Sequence, residues 1–304
     1  MSASHTYSLD TLGQLDERRP LYGILGDPVA HSLSPEMQTA AFDALDLPAR
    51  YVRVHVPSGG LAEAVAVLKR KKFHGWNCTL PHKQDMLLHL DRLAPAMSGA
   101  VSVNTVKVEN GALVGYSTDG TGWLNALRED FGIDAARRPG MSVLILGMGG
   151  AGTTLAHQAA EAGFGKIILA NRTPQKAAAV ASVLKNRRPG LDVSALSLET
   201  PALQEAMKQT ALLVNCISVG ALSDADQLFP AGTDCSNLFV YDTNYQPRET
   251  PLLRAARRAG ARAANGLSML LHQGAEAFTI WTGRPAPLEA MRDALKKILP
   301  EKSS

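Results

Sequence analysis

Apolar and polar positions between residue 21 and about residue 120 follow two periods in turn, one typical of strands and one of helices. The predicted strands are LYGILG (21–26), ARYVRVHV (49–56), FHGWNCTL (73–80) and two within SVNTVKVENGALVGYSTD (102–119), joined by an Asn-Gly turn. The predicted helices are SPEMQTAAFDALDL (34–47), GLAEAVAVLKRKK (60–72) and KQDMLLHLDRLA (83–94). This alternation predicts an α/β domain.

A second series of strands and helices follows a polar break at IDAARRPG (133–140). Its first part, MSVLILGMGGAGTTLAHQAAEAG (141–163), has the pattern of a strand, a glycine-rich turn and a helix. Further strands are predicted in KIILANR (166–172), ALLVNCIS (211–218) and NLFVYDTN (237–244), and the last helices in 265–283 and 287–299. Strands alternating with helices of this length predict a doubly wound parallel sheet.

Composition narrows the class of protein. At roughly 100 to 200 residues per domain, 304 residues indicate two domains. A net charge of +3 gives no reason to expect nucleic acid or a membrane surface as partner, and no apolar run is long enough to span a membrane. The N-terminal segment lacks the apolar core of a signal peptide, and the three cysteines form no disulfide or zinc pattern, so we expect a cytoplasmic protein.

The segment GMGGAG matches the dinucleotide fingerprint GxGxxG and lies where that fingerprint requires, between a buried strand and a helix. Gly147 is expected to allow the tight turn, and Gly149 to let the backbone approach a pyrophosphate. Gly152 is expected to permit close packing of helix on strand. The helix N-terminus would then face the phosphate groups.

The end of the next strand indicates which dinucleotide is bound. An NAD site has a carboxylate there for the ribose 2′-hydroxyl. Here KIILA is followed by Asn171, Arg172 and Thr173, then Lys176, with no acidic residue. A guanidinium and an ammonium attract a 2′-phosphate, so the sequence predicts NADP rather than NAD.

Several motifs taken together resemble the shikimate dehydrogenase family, including its quinate/shikimate branch and its shikimate-dehydrogenase-like paralogues. They are HSLSP (31–35), NCTLPHK (77–83), AVSVNT (100–105), STDGTG (117–122), GMGGAG (147–152), NRT (171–173), YDTNY (241–245) and GLSMLLHQGAEAF (266–278). The resemblance implies an N-terminal α/β substrate domain, a Rossmann-type NADP domain and a C-terminal helix that returns to the first domain. We expect residues 1–120 and 268–304 in the substrate domain and 121–267 in the dinucleotide domain.

The resemblance also implies reversible, NADP-dependent oxidation of the shikimate 3-hydroxyl to 3-dehydroshikimate, and a role for individual residues. Lys83 and Asp119 match the catalytic positions. The implied substrate-binding residues are Ser32, Ser34, Thr79, Asn104, Tyr245 and Gln273. The implied cofactor-binding residues are Gly147, Met148, Gly149, Gly150, Ala151, Asn171, Arg172, Thr173, Lys176, Thr243 and Gly266.

The chemistry of alcohol oxidation fits this assignment. The hydroxyl proton must leave as the carbonyl forms, and a base at hydrogen-bond distance can take it. We therefore expect Lys83 and Asp119 to act as a pair, in which one residue exchanges the proton and the other orients its partner. His82 is next to Lys83 but should point elsewhere in an extended segment, and the histidines show no metal-ligand spacing.

Three positions depart from the usual pattern of the family: Ser117 replaces an asparagine, Ile217 a threonine and Ser268 a glycine. We expect a monomer or homodimer that oxidises shikimate. The three departures leave two alternative functions open. One is a paralogue acting on quinate or on an amino-substituted relative. The other is a catalytically slow dinucleotide-binding protein with a regulatory role.

Overall fold

The computed structural model describes residues 6–16, 18–95, 102–220, 225–230 and 232–299. The chain forms two compact units. Unit 1 comprises the described residues of Met1–Gly122 and Leu270–Ser304, and unit 2 those of Trp123–Met269. In the described chain no helix is long and apolar enough to cross a membrane.

Unit 1 is built on a seven-stranded mixed sheet with the order β1-β3-β2-β4-β6-β7-β5. The strands are β1 (Thr6–Tyr7), β2 (Leu21–Gly26), β3 (Arg50–His55), β4 (Phe73–Cys78), β5 (Arg92–Leu93), β6 (Thr105–Glu109) and β7 (Ala112–Tyr116). Its helices are α1 (Ser34–Ala44), α2 (Leu61–Arg70), α10 (Leu288–Ile298) and parts of α3 (Asp119–Phe131) and α9 (Leu267–Thr282).

Strand β6 runs antiparallel to β4, with Thr105 opposite Asn77, and β7 returns antiparallel to β6. The other strand pairs of this sheet are parallel. The predicted Asn-Gly turn joins β6 to β7, and both Asn110 (φ 52°) and Gly111 (φ 85°) adopt left-handed conformations. Two residues with positive φ match the twist of a two-residue hairpin turn, which explains this residue pair.

The predicted helix 83–94 is wrong. A short 3-10 helix covers Asp85–His89, and the chain then extends into β5. Its apolar spacing does bury Met86, but the amides of Asp91 and Ala94 bond to the carbonyl groups of Leu113 and Gly115 in β7. Pairing with a strand more than 20 residues away therefore overrides the local helical pattern.

Helix α9 packs on the sheet of unit 1 through aromatic side chains. Trp281 donates from Nε1 to the carbonyl oxygen of Val106 at 2.9 Å. Its ring lies 5.2 Å from that of Tyr22, whose ring in turn contacts Phe42 of α1. Because these side chains are buried, they fix α9, which carries Gln273, against the strands of the site.

Unit 2 contains a six-stranded parallel sheet with the order β10-β9-β8-β11-β12-β13, which is the doubly wound order. The strands are β8 (Ser142–Leu146), β9 (Lys166–Asn171), β10 (Asp192–Ser197), β11 (Leu212–Asn215), β12 (Phe239–Asp242) and β13 (Arg262–Asn265). The helices are α4 (Gly150–Glu161), α5 (Pro174–Arg187), α6 (Thr200–Met207), α7 (Ala225–Leu228) and α8 (Pro251–Arg258).

The central strands of unit 2 are apolar throughout because both faces of the sheet are covered. Val143 and Ile145 belong to one buried cluster, whereas Leu144 and Leu146 belong to another. Successive side chains of a strand point to opposite faces, so the run VLIL supplies both cores. The predicted α/β fold class, with a Rossmann-type doubly wound sheet, is confirmed.

Candidate active site

Lys83 and Asp119 form an ion pair in unit 1. Lys83 Nζ lies 2.5 Å from Asp119 Oδ2, and the side chains are 17% and 6% exposed. Lys83 follows the end of β4, and its carbonyl oxygen accepts from the amide of Val103. Asp119 is the first residue of α3, where the helix dipole favours a negative charge. The two residues therefore place an amine and a carboxylate together in a largely buried site.

Asn104 holds the second oxygen of Asp119. Its Nδ2 donates to Asp119 Oδ1 and to Thr118 Oγ1, each at 2.9 Å, while its Oδ1 accepts from the Thr118 amide at 2.8 Å. Asn104 Nδ2 also lies 3.4 Å from Oε1 of Gln273. Asn104, Thr118 and Asp119 are all buried. Both oxygens of the carboxylate are thus fixed by named partners.

Gln273 reaches this cluster because α9 passes very close to the start of α3. A Cβ atom on Gly122 would lie 2.7 Å from both the Cβ and the backbone nitrogen of Gln273, so only glycine fits at position 122. The Gln273 amide nitrogen donates to the Leu270 carbonyl at 2.9 Å, which directs its oxygen toward Asn104. The close approach of the two helices therefore places Gln273 at the site.

Ser32 and Ser34 lie at the start of α1, also in unit 1. Ser32 Oγ accepts from the Ser34 amide at 3.3 Å, and Ser34 is buried. The carbonyl oxygen of Ser32 accepts from Arg53 Nε at 3.0 Å and from a terminal nitrogen of the same side chain at 2.5 Å. That nitrogen also pairs with Glu36 at 2.6 Å. A buried guanidinium thus braces the loop that carries both serines.

Thr79 and His82 lie on the turn between β4 and Lys83. The Thr79 amide donates to the Leu25 carbonyl at 2.9 Å, and Thr79 itself is half-buried. The buried ring of His82 contacts the carbonyl oxygen of Val56 at 2.6 Å through Nε2. His82 is therefore a structural residue facing away from the ion pair.

The glycine-rich turn of unit 2 has the backbone that its motif requires. Gly147 has φ +90°, and a Cβ on Gly152 would lie 1.7 Å from the Gly147 carbonyl oxygen. A Cβ on Gly149 or on Gly150 would instead meet open space. The first and third positions need glycine for the fold, whereas the middle of the turn leaves room at the N-terminus of α4. This arrangement fits a pyrophosphate group.

Asn171 connects this turn to the end of β9. Its Oδ1 accepts from the Met148 amide at 2.9 Å, and its Nδ2 donates to the Thr173 carbonyl at 2.9 Å. Arg172 and Lys176 are exposed, and neither forms an ion pair within the described part of the chain. Two cationic side chains beside the turn suit the 2′-phosphate of NADP.

Three further predicted positions lie near the carboxyl ends of β12 and β13. Gly266 packs on Thr243, because a Cβ at position 266 would lie 2.1 Å from the Thr243 carbonyl oxygen. The Thr243 hydroxyl donates to the Asn215 carbonyl at 2.9 Å. Tyr245 follows in the same loop of unit 2. Tyr245 therefore belongs to unit 2, like the predicted cofactor positions. The other predicted substrate-binding residues belong to unit 1.

The structure gives two of the unusual residues specific contacts. Ser268 Oγ donates to Asp130 Oδ2 at 2.5 Å and lies 3.1 Å from the hydroxyl of Tyr241. Burial raises the pKa of Tyr241 well above its usual value. Ile217 packs on the glycine-rich turn, since a Cβ on Gly147 would lie 2.8 Å from its Cγ1. Ser117 lies in the loop before α3.

Glu276 is a half-buried acid one turn beyond Gln273 on α9. Burial raises the pKa of its carboxyl group to about 7, and a hydrogen bond from Thr121 only partly opposes that shift. Its Oε2 is buried without a hydrogen-bond partner among the described residues. Glu276 therefore titrates near neutral pH, in contact with the same stretch of α3 that begins at Asp119.

Sequence reasoning missed three buried residues that support the site: Arg53, Tyr51 and Asn77. Arg53 and Tyr51 alternate with apolar residues in a typical strand pattern, and Asn77 lies in a motif whose other members carry the expected roles. A buried arginine inside a strand could have been a signal, because an arginine is rarely buried unless it is paired. Tyr51 and Asn77 gave no comparable signal.

A parallel-sheet unit with a dinucleotide turn, and a second unit with a buried lysine-aspartate pair, define the class of dinucleotide-dependent dehydrogenases. Within the described residues, no group of three histidine, cysteine, aspartate or glutamate side chains could hold a metal ion. Comparison with known proteins identifies the family.

The model of the shikimate dehydrogenase substrate binding domain matches residues 24–106, and that of the shikimate 5'-dehydrogenase C-terminal domain matches residues 266–296. A shikimate dehydrogenase (NADP(+)) from Moorella thermoacetica is 40% identical over 281 residues, which cover 92% of this chain and 93% of that protein. The chain therefore belongs to the shikimate dehydrogenase family.

Two solved structures of named dehydrogenases are similar to this chain along most of its length. Shikimate 5-dehydrogenase from Thermus thermophilus, in complex with NADP(H) and shikimate, is 35% identical with a TM-score of 0.77; the alignment covers 91% of this chain and 99% of that one. Quinate dehydrogenase from Corynebacterium glutamicum, in complex with NAD, is 25% identical with a TM-score of 0.78, covering 92% and 99%. The predicted family is confirmed.

Proposed function

We propose that this protein catalyses the reversible, NADP-dependent oxidation of the shikimate 3-hydroxyl group to the ketone of 3-dehydroshikimate. One observation carries the proposal: Lys83 Nζ is 2.5 Å from Asp119, whose other oxygen is held by Asn104. Membership of the family supplies the substrate class. The glycine-rich turn and Arg172 of unit 2 suit the dinucleotide.

Substrate binding follows from the chemistry of the polar side chains in unit 1. The hydroxyl groups of Ser32 and Ser34 can donate to the substrate carboxylate. Gln273 offers an amide oxygen and Thr79 a hydroxyl suited to ring hydroxyl groups. Asn104 is proposed to bind a ring hydroxyl with the N–H that it otherwise gives to Thr118. Tyr245 completes the proposed set of substrate-binding residues. The proposed site therefore contacts the carboxylate at one end and the reacting hydroxyl at the other.

Lys83 and Asp119 are proposed to handle the proton. When bound, NADP+ supplies the hydride acceptor. In oxidation the proton of the 3-hydroxyl group passes to the Lys83–Asp119 pair as the carbonyl forms, with Lys83 exchanging the proton and Asp119 orienting Lys83. In the reverse direction the same pair returns the proton to the oxygen. Asn104 keeps Asp119 oriented throughout.

The cofactor is proposed to bind in unit 2. The backbone of Gly147, Met148, Gly149, Gly150 and Ala151 would hold the pyrophosphate at the N-terminus of α4. The 2′-phosphate would lie among Arg172, Lys176 and the neighbouring Asn171 and Thr173. Thr243 and Gly266 are proposed to contact the cofactor from the ends of β12 and β13.

Initial rates with NADP+ and NAD+, each with shikimate and quinate, test the proposal. We expect the highest kcat/KM with shikimate and NADP+. The Lys83→Ala protein supplies the background rate for every pair. The enzyme assignment fails if neither substrate supports reduction above that background at millimolar concentration.

The same four rates distinguish the alternatives. A higher kcat/KM with quinate would assign the chain to the quinate branch. The similarity to quinate dehydrogenase from Corynebacterium glutamicum is the reason for testing this alternative. Quinate carries an extra hydroxyl at C1, next to its carboxylate, so discrimination is expected at Ser32 and Ser34. Tight NADP binding without turnover would instead indicate a regulatory protein. We further propose a cytoplasmic monomer or homodimer, which sedimentation and cell fractionation can check.

A further inference from the structure

Tyr51 is a buried residue of β3 that lies between the two ends of the proposed substrate site. Its hydroxyl donates to Asn77 Oδ1 at 2.6 Å. The side chain of Ser34 lies beside the same phenol group, where it opposes the rise in the pKa of Tyr51 that burial causes. The phenol group of Tyr51 therefore lies between Ser34 and Asn77 and donates its proton to Asn77.

Asn77 continues the connection toward the ion pair. Its Nδ2 donates to the Asn104 carbonyl oxygen at 3.0 Å and to Thr105 Oγ1 at 2.9 Å. Thr105 Oγ1 in turn donates to Asn104 Oδ1 at 3.2 Å. All three side chains are at most 4% exposed, so water does not compete for these bonds.

Every donor in this series points the same way. The order runs from Tyr51 through Asn77 and Thr105 to Asn104, and Asn104 finally donates to Asp119. A reversed Asn77 amide would place its oxygen against the Asn104 carbonyl oxygen, which can only accept. That carbonyl oxygen sets which way the Asn77 amide faces, and the bond from the Tyr51 hydroxyl holds its oxygen in place, which in turn supports Asn104.

We propose that Tyr51, which lies beside the carboxylate-binding Ser34, is a positioning residue that orients the catalytic lysine-aspartate pair through this buried series of hydrogen bonds. The proposal rests on the proposed roles of Ser34, Lys83 and Asp119. It assigns Tyr51 an effect on both ends of the substrate site and none on the cofactor, whose proposed residues lie in unit 2.

Tyr51→Phe removes only the hydroxyl group, and the chain offers a matched control. Tyr22 lies opposite Tyr51 on the neighbouring strand β2, is also buried, and its ring also contacts Trp281. The described residues include no hydrogen-bond partner for its hydroxyl. Tyr22→Phe therefore removes the same group from the same layer of the sheet without breaking the series.

We expect Tyr51→Phe to lower kcat by about 10-fold, because the hydrogen-bond series orients Asp119, and to raise the KM for shikimate about threefold, because the phenol group also lies beside Ser34. The KM for NADP+ should stay within about twofold. Tyr22→Phe should leave all three constants within that margin. A Tyr51→Phe protein that is folded and kinetically equal to Tyr22→Phe would overturn the proposal.

Thr105→Val gives a second, independent test if Tyr51→Phe does not fold. It keeps the shape of a buried side chain in β6 but removes the donor to Asn104, so kcat should fall by a similar factor of about 10. The double variant should lose little more than either single variant, since both break one series. Unchanged kcat in folded Thr105→Val, or fully multiplicative losses, would refute the proposal.

These results separate the inference from the proposed function itself. If Lys83→Ala loses turnover while Tyr51→Phe and Thr105→Val do not, only the positioning role fails. If Lys83→Ala keeps the rate of the unaltered protein, the assignment of the catalytic pair fails first.

Discussion

Lys83 Nζ and Asp119 Oδ2 lie 2.5 Å apart, although 36 residues separate them along the chain. Lys83→Ala should therefore lower kcat by about 10² or more, the usual scale for a positioned acid/base, with little change in the KM for shikimate. Initial-rate kinetics would measure both constants. Lys107→Ala, in an ion pair with Glu109 on β6, is a matched control in the same unit. Turnover within threefold of the unaltered protein would remove Lys83 from the catalytic role.

Arg172 should discriminate between the two dinucleotides. Its exposed guanidinium follows β9, where no carboxylate is present. Arg172→Ala should weaken NADP+ binding by about 10-fold or more and leave NAD+ binding nearly unchanged, because only NADP+ carries the 2′-phosphate. Titration with each dinucleotide would measure this, with Arg187→Ala at the other end of α5 as control. Equal losses for both would mean that another residue reads the 2′-phosphate.

Glu276 should make the stability of the protein depend on pH. Burial raises the pKa of its carboxyl group to about 7 in the folded state, against 4.5 for the free side chain. The folded protein therefore binds more protons than the unfolded chain between these values, and the free energy of unfolding should fall as pH rises through that window. Above pH 7 the loss should be complete.

Glu276→Gln removes this titration while keeping the shape of the side chain. At pH 8.5 we expect it to be more stable than the unaltered protein by about 1 kcal/mol, allowing for the partial exposure of the carboxyl group; near pH 4.5 the gain should vanish. Urea unfolding at both pH values would measure the difference. Glu289→Gln, on the exposed side of α10, is the control. A gain that does not depend on pH would contradict this account.

Arg53 should affect the carboxylate end of the substrate site. It donates twice to the Ser32 carbonyl oxygen and pairs with Glu36. Arg53→Met should raise the KM for shikimate by about 10-fold and change kcat less, because the serine loop loses its brace while the ion pair at Lys83 stays. Arg50→Met, on the same strand, is the control. An unchanged KM in a folded Arg53→Met protein would show that the loop holds its position without the guanidinium.

Much of the fold follows from local patterns in the sequence. The run VLIL before Gly147 predicts a strand buried on both faces, and Asn110 with Gly111 predicts the hairpin turn; both are present. Residues 83–94 show the limit of such reasoning. Their apolar spacing fits a helix, but hydrogen bonds to β7 draw the segment into the sheet. The spacing of apolar residues within a segment carries no information about a strand elsewhere in the chain that the segment pairs with.

Some residues of the candidate site could likewise be predicted from the sequence, whereas others could not. Motifs assign Lys83 and Asp119, and their contact in the structure fits that assignment. The role of Tyr51 depends instead on strand register, which sets its hydroxyl beside Asn77 and leaves no mark in the sequence. Ser268 shows the reverse case. It departs from a common glycine, and the structure gives it contacts with Asp130 and Tyr241.

Strand β6 runs against its neighbour β4, and this reversal decides where the polar cluster forms. The carboxyl end of β4, with Asn77, meets the beginning of β6, with Thr105, and Asn104 comes just before it. Had the chain entered β6 in the parallel sense, its first residues would lie at the opposite edge of the sheet, far from Lys83. In an all-parallel sheet, Asn77 at the end of β4 and Asn104 and Thr105 at the start of β6 would then lie apart and form no common site. Chain direction at one strand is as necessary to the site as the side chains themselves.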